Sequence, residues 1–344
     1  MLNTAHTTKH KVFLLDKHIC RIVLFVFSSV LLFSCGGSSG GPVIVLPPVP
    51  PTPAPPPVPQ NDFIVEFETI LNADGPNVGQ SAYSLIEDKY AQGSIEAPDF
   101  YPSDHNNVEH IIEDEDNIVG PHFVFLAHRD LDFDRGVQSD RQRNEIKTFD
   151  RSDDTLLGFE GDTFQYSWKF KVRSELELST KFSHFFQIKA RNYSPEDEDN
   201  VNGNDSQPVI TLTGAERTST GNTLQIRYSK GNNLDGSRDS DTRLAEIDWF
   251  TITDEWLTIF VQATFAEADS GGAFKMVITR MSDNQEIINI DESNIDMWRG
   301  QLDRDFTRPK WGIYRSVAEP DSLRAQEEQV RFADFVIRKG RLPD

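Results

Sequence analysis

Alternation of apolar and polar residues, not a 3.6-residue period, dominates the chain beyond about residue 62. Runs rich in β-branched and aromatic residues predict strands over Phe123–Ala127, Arg141–Thr148, Thr163–Val172, Phe182–Ala190 and Pro208–Thr213. Further strands are predicted over Thr223–Tyr228, Trp256–Phe265, Phe274–Thr279, Lys310–Arg315 and Arg331–Arg338. Ser84–Tyr90 reads as a short helix, and acidic or Gly/Asn/Ser-rich loops occupy Ser194–Gln207 and Lys230–Asp241. With no internal repeat, the simplest architecture is all-β: a two-sheet antiparallel β-sandwich of jelly-roll, concanavalin-like type with one concave, grooved sheet.

Three of these strands oppose a polar face to an apolar one. In Arg141–Lys147, Arg141, Arg143, Glu145 and Lys147 share one face; Gln142, Asn144 and Ile146 share the other. In Phe182–Lys189, strict alternation puts Ser183, Phe185, Gln187 and Lys189 on one face, and His184 on the core face with Phe182, Phe186 and Ile188. In Lys310–Arg315, Lys310, Gly312 and Tyr314 oppose Trp311, Ile313 and Arg315. If the three strands line one concave sheet, Arg143, Glu145, Gln187, Lys189, Lys310 and Tyr314 converge. Gly312 then leaves room for a ligand near the backbone. Three cations and one carboxylate on the first strip are costly unless an anion lies across them.

That strip reverses the sign of the chain, whose formal net charge is −21 over 344 residues. So acidic a surface excludes nucleic acid as a partner and suits a soluble domain in salty surroundings. Lys9, Lys11, Lys17 and Arg21 precede the apolar run Ile22–Phe33, a pattern expected of an export signal over residues 1–34. Leu32-Phe33-Ser34-Cys35 resembles a bacterial lipobox, which implies cleavage before Cys35 and lipidation of that cysteine. Gly36 after it implies an outer-membrane destination, periplasmic or cell-surface. Residues 35–61, a Gly/Ser tract followed by a proline-dominated stretch, read as a leash and spacer ahead of a domain at 62–344. Losing four basic residues and Asp16 with the signal leaves a charge of about −24. No cysteine follows Cys35, so the domain rests on its core without disulfides; it is expected to be a monomer.

The trio Arg141-Gln-Arg-Asn-Glu-Ile-Lys147, Phe186-Gln-Ile-Lys189 and Lys310-Trp-Gly-Ile-Tyr-Arg315 resembles the signature strands of jelly-roll polysaccharide lyases. In alginate lyases of that architecture the strands carry Arg-x-Glu-Leu-Arg, Gln-Ile-His and Tyr-x-Lys-x-Gly-x-Tyr. The overall look is similar to the group containing glucuronan lyases and heparin lyase I, over roughly Ile95–Arg338. The resemblance implies β-elimination on a uronate polymer such as glucuronan, ulvan or alginate, an acidic polysaccharide partner and no required cofactor. It implies that Tyr314 is catalytic and that Arg143, Gln187 and Arg141 neutralise the C6 carboxylate as C5 loses its proton. Lys189 and Lys310 are expected to favour the Tyr314 phenolate, and Glu145 to orient the arginines. Lys147, Lys189, Lys310 and Arg315 are the remaining substrate-binding candidates.

The histidine of the Gln-Ile-His motif is replaced by Lys189, so the base must come from elsewhere. His128, just ahead of the basic strand, is the preferred candidate. The competing reading from another class is a non-catalytic module that captures an acidic glycan. A glycoside hydrolase is disfavoured because Glu246-Ile247-Asp248-Trp249-Phe250 is followed by Thr251 rather than a second carboxylate. Arg173-Ser174-Glu175-Leu176 reads as a turn. The acidic runs Glu113–Asp116 and Glu196–Asp199 are candidate donors for a structural calcium. No His/Cys spacing points to a metal cluster.

Overall fold

The computed structural model describes residues 63–193, 205, 207–217, 221–230 and 242–343. The expected export signal at 1–34, Cys35, the expected spacer and the acidic run Glu196–Asp199 lie outside the described residues, as does most of the two predicted long loops. Two antiparallel sheets face each other. One has the order β13 (Gln285–Ser293), β12 (Ala273–Arg280), β11 (Leu257–Thr264), β6 (Thr163–Val172), β15 (Glu328–Arg341), β4 (Gly120–Ala127), β3 (Ile111–Asp116), with β1 (Ile64–Leu71) also paired to β15. The other has the order β10 (Thr242–Asp248), β9 (Thr223–Tyr228), β8 (Ile210–Ala215), β7 (Ser183–Arg191), β14 (Phe306–Ser316), β5 (Arg141–Lys147), β2 (Ile95–Glu96).

All ten predicted strands are present. The five that alternation missed are β1, β2, β3, β10 and β13. Four of these are sheet edges, and the fifth shares a flank of β15 with β4. An edge strand is covered on fewer sides, so its pattern is more polar and its signal weaker.

The core lies between the sheets. Along β6 the alternate residues Phe164, Tyr166, Trp168, Phe170 and Val172 are all buried. Trp311 of β14 packs among them from the other sheet, with ring centroids 5.9 Å from Trp168, 5.8 Å from Phe186 and 5.3 Å from Phe335. Truncating a fully buried aromatic of this kind costs about 3–5 kcal/mol. The helix α1 (Ala82–Tyr90) starts two residues before the predicted one, where the Ser81 hydroxyl accepts the Ser84 N–H. Its buried residues, Ala82, Ile86 and Tyr90, recur every four positions and form one stripe against the core.

Strict alternation fails within β7 of the grooved sheet. Between β7 and β8, His184 pairs with Thr213 and Phe186 with Leu212, so Phe185 is an extra residue. This β-bulge turns Phe185 and Phe186 both into the core and reverses the parity upstream of them. His184 therefore shares a face with Gln187, not with Phe186 as alternation predicts. Opposite the bulge, β14 carries Gly312 at φ +140°, where a Cβ would lie 2.1 Å from the Asn144 carbonyl of β5. The glycine is required by the approach of the β5 backbone, which replaces the expectation that it makes room for a ligand.

Candidate active site

β5, β14 and β7 are adjacent, and Tyr314 is opposite Arg143 on one side and His184 on the other. The polar faces of the three motif strands therefore meet, as the sequence predicts. The charges on them are arranged differently. Arg143 is buried: its Nε donates to Asp134 Oδ1 at 2.8 Å and its Nη1 donates to Glu145 Oε2. Lys310 Nζ donates to both Glu145 Oε2 and Glu96 Oε2 at 2.6 Å, and Lys147 Nζ to Glu96 Oε1 at 2.6 Å. Gln187, also buried, donates its side-chain N–H to Glu145 Oε1. Three cations thus meet three carboxylates, because β2 and the 128–134 turn supply Glu96 and Asp134. The excess positive charge read from Arg141–Lys147 is compensated within the protein.

This compensation is visible in the ionisation of the group. Burial opposes ionisation of Glu96, but Lys310, Arg143 and Lys147 hold its carboxyl well below the usual range. Burial pulls Lys147 down to about 8, against the pull of Glu96. Burial, with Lys310 nearby, pulls Lys189 down to about 7, and its Nζ donates to the Asp205 carbonyl oxygen.

The open part of the groove lies on the other side of Tyr314. A cleft with about 160 Å³ of room is lined by Arg141, Phe182, His184, Thr211, Arg227 and Tyr314, with Gln207, Pro208, Tyr228 and Ser229 at its end. Arg141 Nη1 donates to the Tyr314 hydroxyl oxygen at 2.9 Å. The Arg143 guanidinium stacks on the Tyr314 ring, 3.7 Å from its centroid. Burial raises the Tyr314 pKa, and Arg143 and Arg141 oppose that rise. These two arginines, in place of the expected lysines, offset part of that rise. His184 is 5.9 Å from Tyr314 between ring centroids, stacks on Phe182 at 4.6 Å and has Nδ1 2.8 Å from Thr213 Oγ1.

Two candidates are located elsewhere. Arg315 is fully buried and faces the other sheet, with Nε donating to Gln142 Oε1 at 2.6 Å and Nη1 to Glu328 Oε2. It sits one residue after groove-facing Tyr314, so strand alternation turns it away from the groove. His128 does not line the cleft. Its ring packs edge-on against His105 and His110, and its Nε2 is 3.1 Å from Glu327 Oε2. The lining residues Thr211 and Arg227 went unremarked in sequence. Thr211 and Thr213 of β8, and Gln225 and Arg227 of β9, do carry the alternating polar face that marks a groove strand. Of the acidic runs, Glu113–Asp116 is an edge strand rather than a loop. Glu113 accepts the Asp74 and Gly75 N–H groups, Asp114 pairs with Arg331, and Asp116 accepts from Trp256.

The sequence matches the family model described as polysaccharide lyase over residues 91–336. No curated protein matches it. Among solved structures, an alginate lyase bound to an alginate trisaccharide aligns at 8% identity with a TM-score of 0.50, covering 80% of this chain and 98% of that one. The PL-14 alginate lyase from Aplysia kurodai aligns at 10% identity with a TM-score of 0.50, over 80% and 98%. The endo-beta-1,4-glucuronan lyase from the fungus Trichoderma reesei aligns at 14% identity with a TM-score of 0.49, over 80% and 95%.

Proposed function

The chain belongs to the polysaccharide lyase family, and from that premise we propose that it cleaves a uronate polymer of the glucuronan type by β-elimination in the Tyr314 cleft. The observation that carries the reading is a tyrosine hydroxyl 2.9 Å from Arg141 Nη1, on a cleft floor shared with His184. The C5 proton of a uronate is weakly acidic, and neutralising the C6 carboxylate stabilises the enolate-like intermediate. Arg141 and Arg227, both lining the cleft, are the cations that meet that carboxylate. His184, whose Nδ1 is 2.8 Å from Thr213 Oγ1, takes the C5 proton. Tyr314 gives its proton to the departing O4, and the phenolate left behind is stabilised by Arg141 and the Arg143 stack.

In β-linked glucuronate the C5–H and C4–O bonds project from the same side of the ring. Neighbouring acid and base on one sheet face suit that syn elimination. The same geometry favours mannuronate over guluronate, in which the two bonds lie on opposite sides. Arg143, Gln187, Lys310 and Glu145 act from beneath by fixing the ring and hydroxyl of Tyr314 in place. The Leu32–Cys35 lipobox and the proline spacer support an exported enzyme tethered by lipid at Cys35 to the outer membrane. Loss of membrane partitioning in Cys35→Ala tests the tether.

The activity is tested by incubating the protein with glucuronan, ulvan, polymannuronate, polyguluronate and heparin while following the ultraviolet absorbance of unsaturated uronate ends. A rise with glucuronan that exceeds the others is expected. Binding of these polymers without any rise in absorbance overturns the reading in favour of a capture module.

A further inference from the structure

Away from the cleft, the fold gathers four residues that no sequence spacing connects. His105 lies in the loop after the 3-10 turn Pro98–Phe100, His110 immediately precedes β3, His128 follows β4, and Asp132 closes the next turn. One donor atom from each lies within 4.8 Å of all the others. His105 Nδ1, His110 Nε2 and His128 Nδ1 are 3.1, 3.0 and 3.3 Å from the same oxygen, Asp132 Oδ1. The three rings are mutually edge-on, with interplanar angles of 83°, 86° and 85°. We infer that these four residues form a closed, four-ligand site for a divalent transition-metal ion of the zinc class.

Three arguments carry this. The first is spacing: ligands about 2.0–2.1 Å from a tetrahedral zinc lie roughly 3.3 Å from one another, which matches the three nitrogen-to-oxygen separations. The second is tautomer. His110 Nδ1 is 2.8 Å from the Val108 carbonyl, which only accepts, so Nδ1 carries a hydrogen. Its Nε2 is 3.0 Å from the Asp132 oxygen, a contact that needs a positive centre on the nitrogen, a ring proton in the metal-free chain or the ion that displaces it. His128 Nδ1 is buried and 3.3 Å from the same oxygen, outside good hydrogen-bond geometry. One ion serves both nitrogens and the oxygen together. The third is the surrounding shell. His110 Nδ1 is also 3.0 Å from Asp99, which accepts from Tyr83 at 2.5 Å; His128 Nε2 faces Glu327; and Asp132 Oδ2 accepts the His128 N–H at 2.6 Å. Carboxylates behind ligating imidazoles are how metal sites fix ring orientation.

All four positions are filled by protein, so the ion is structural rather than catalytic. Mixed imidazole and carboxylate donors suit zinc and its neighbours better than calcium. The ion clamps the turn that carries Asp134, the partner of Arg143, and the Phe133 carbonyl that accepts the Arg143 N–H at 3.1 Å. It is thereby a positioning element for the ring beneath which Arg143 stacks.

The test is the metal content of the full chain purified without chelator, with zinc titration of the chelator-stripped protein. About one ion per chain is expected, together with a rise in Tm on adding Zn²⁺ and the intense visible bands of tetrahedral Co²⁺ on substitution. His105→Gln, at a partly exposed ring, and Asp132→Asn abolish stoichiometric retention. Glu327→Gln, behind His128, weakens Zn²⁺ by about tenfold, and Tyr314→Phe leaves the metal in place. The inference is overturned if wild-type protein holds no ion and shows no Tm response to Zn²⁺. It is equally overturned if only Ca²⁺ shifts the Tm, or if Zn²⁺ binding is unchanged in His105→Gln and Asp132→Asn. None of these readouts depends on lyase activity.

Discussion

The Arg143 guanidinium lies 3.7 Å from the centroid of the Tyr314 ring. A cation on the π face of a partly desolvated phenol contributes roughly 0.5–2 kcal/mol, and more once the ring carries the charge of a phenolate. Arg143 is itself held by Asp134 and Glu145. It therefore acts on Tyr314 while being only slightly exposed, and Arg141 is the guanidinium that lines the cleft.

Tyr314→Phe keeps the ring and its stack but removes the hydroxyl. Turnover on the polymer that proves to be the substrate is expected to fall by about 10²–10⁴-fold, with Tm and glycan affinity nearly unchanged. Ultraviolet progress curves and a thermal melt check this. Full retained activity would remove Tyr314 from the chemistry.

His184→Gln tests the base. A loss of about 10²-fold or more in kcat, with KM little altered, is expected, whereas His128→Gln changes kcat only as far as it loosens the 128–134 turn. Steady-state kinetics on the two variants separate them. If His128→Gln is the more damaging in kcat while metal content and Tm hold, the roles are reversed.

Glu96→Gln leaves Lys310, Lys147 and Arg143 with one carboxylate fewer in a buried cluster. Breaking a buried charge pair from one side costs about 3–5 kcal/mol. Adding Lys147→Met should recover part of that loss, since it removes a cation left without its partner. Denaturant unfolding of the single and double variants measures both steps. A neutral Glu96→Gln would show the cluster to be solvated.

Lys189 offers a pH signature. Its folded pKa, about 7, is below the unfolded value near 10.5, so the unfolded state binds more protons between those limits. Stability attributable to this group therefore rises with pH from about 7 to about 10.5 and is at its lowest, constant level below 7. Lys189→Met should raise Tm most at pH 6, by a few degrees for each ~1 kcal/mol recovered, and progressively less toward pH 10. Melts of both proteins across that range check the trend; a difference that grows with pH contradicts it.

Local pattern made much of this legible. Ten strands and the outward face of Arg143, Glu145, Lys147, Lys310 and Tyr314 follow from a two-residue period, because each depends only on neighbours along the chain. The edge strands did not stand out, since half-covered strands have little reason to alternate. The face of His184 was misread because one extra residue, Phe185, shifts the parity, and a bulge leaves no mark in a single sequence.

What the sequence by itself determined is the all-β class, the membership signalled by its motif strands and the shared face of Arg143, Glu145, Gln187, Lys310 and Tyr314. Only the tertiary structure decided which of them remain open to a ligand. Glu96 and Asp134, both distant from the motif strands in pattern, neutralise Arg143, Lys147 and Lys310, so the accessible cleft moves to Arg141, Tyr314, His184 and Arg227. The same holds for His105, His110, His128 and Asp132, whose donors converge on one point from four loop positions. Charge compensation and ligand convergence depend on distances across the fold, and those distances are set by how two sheets and their connections pack.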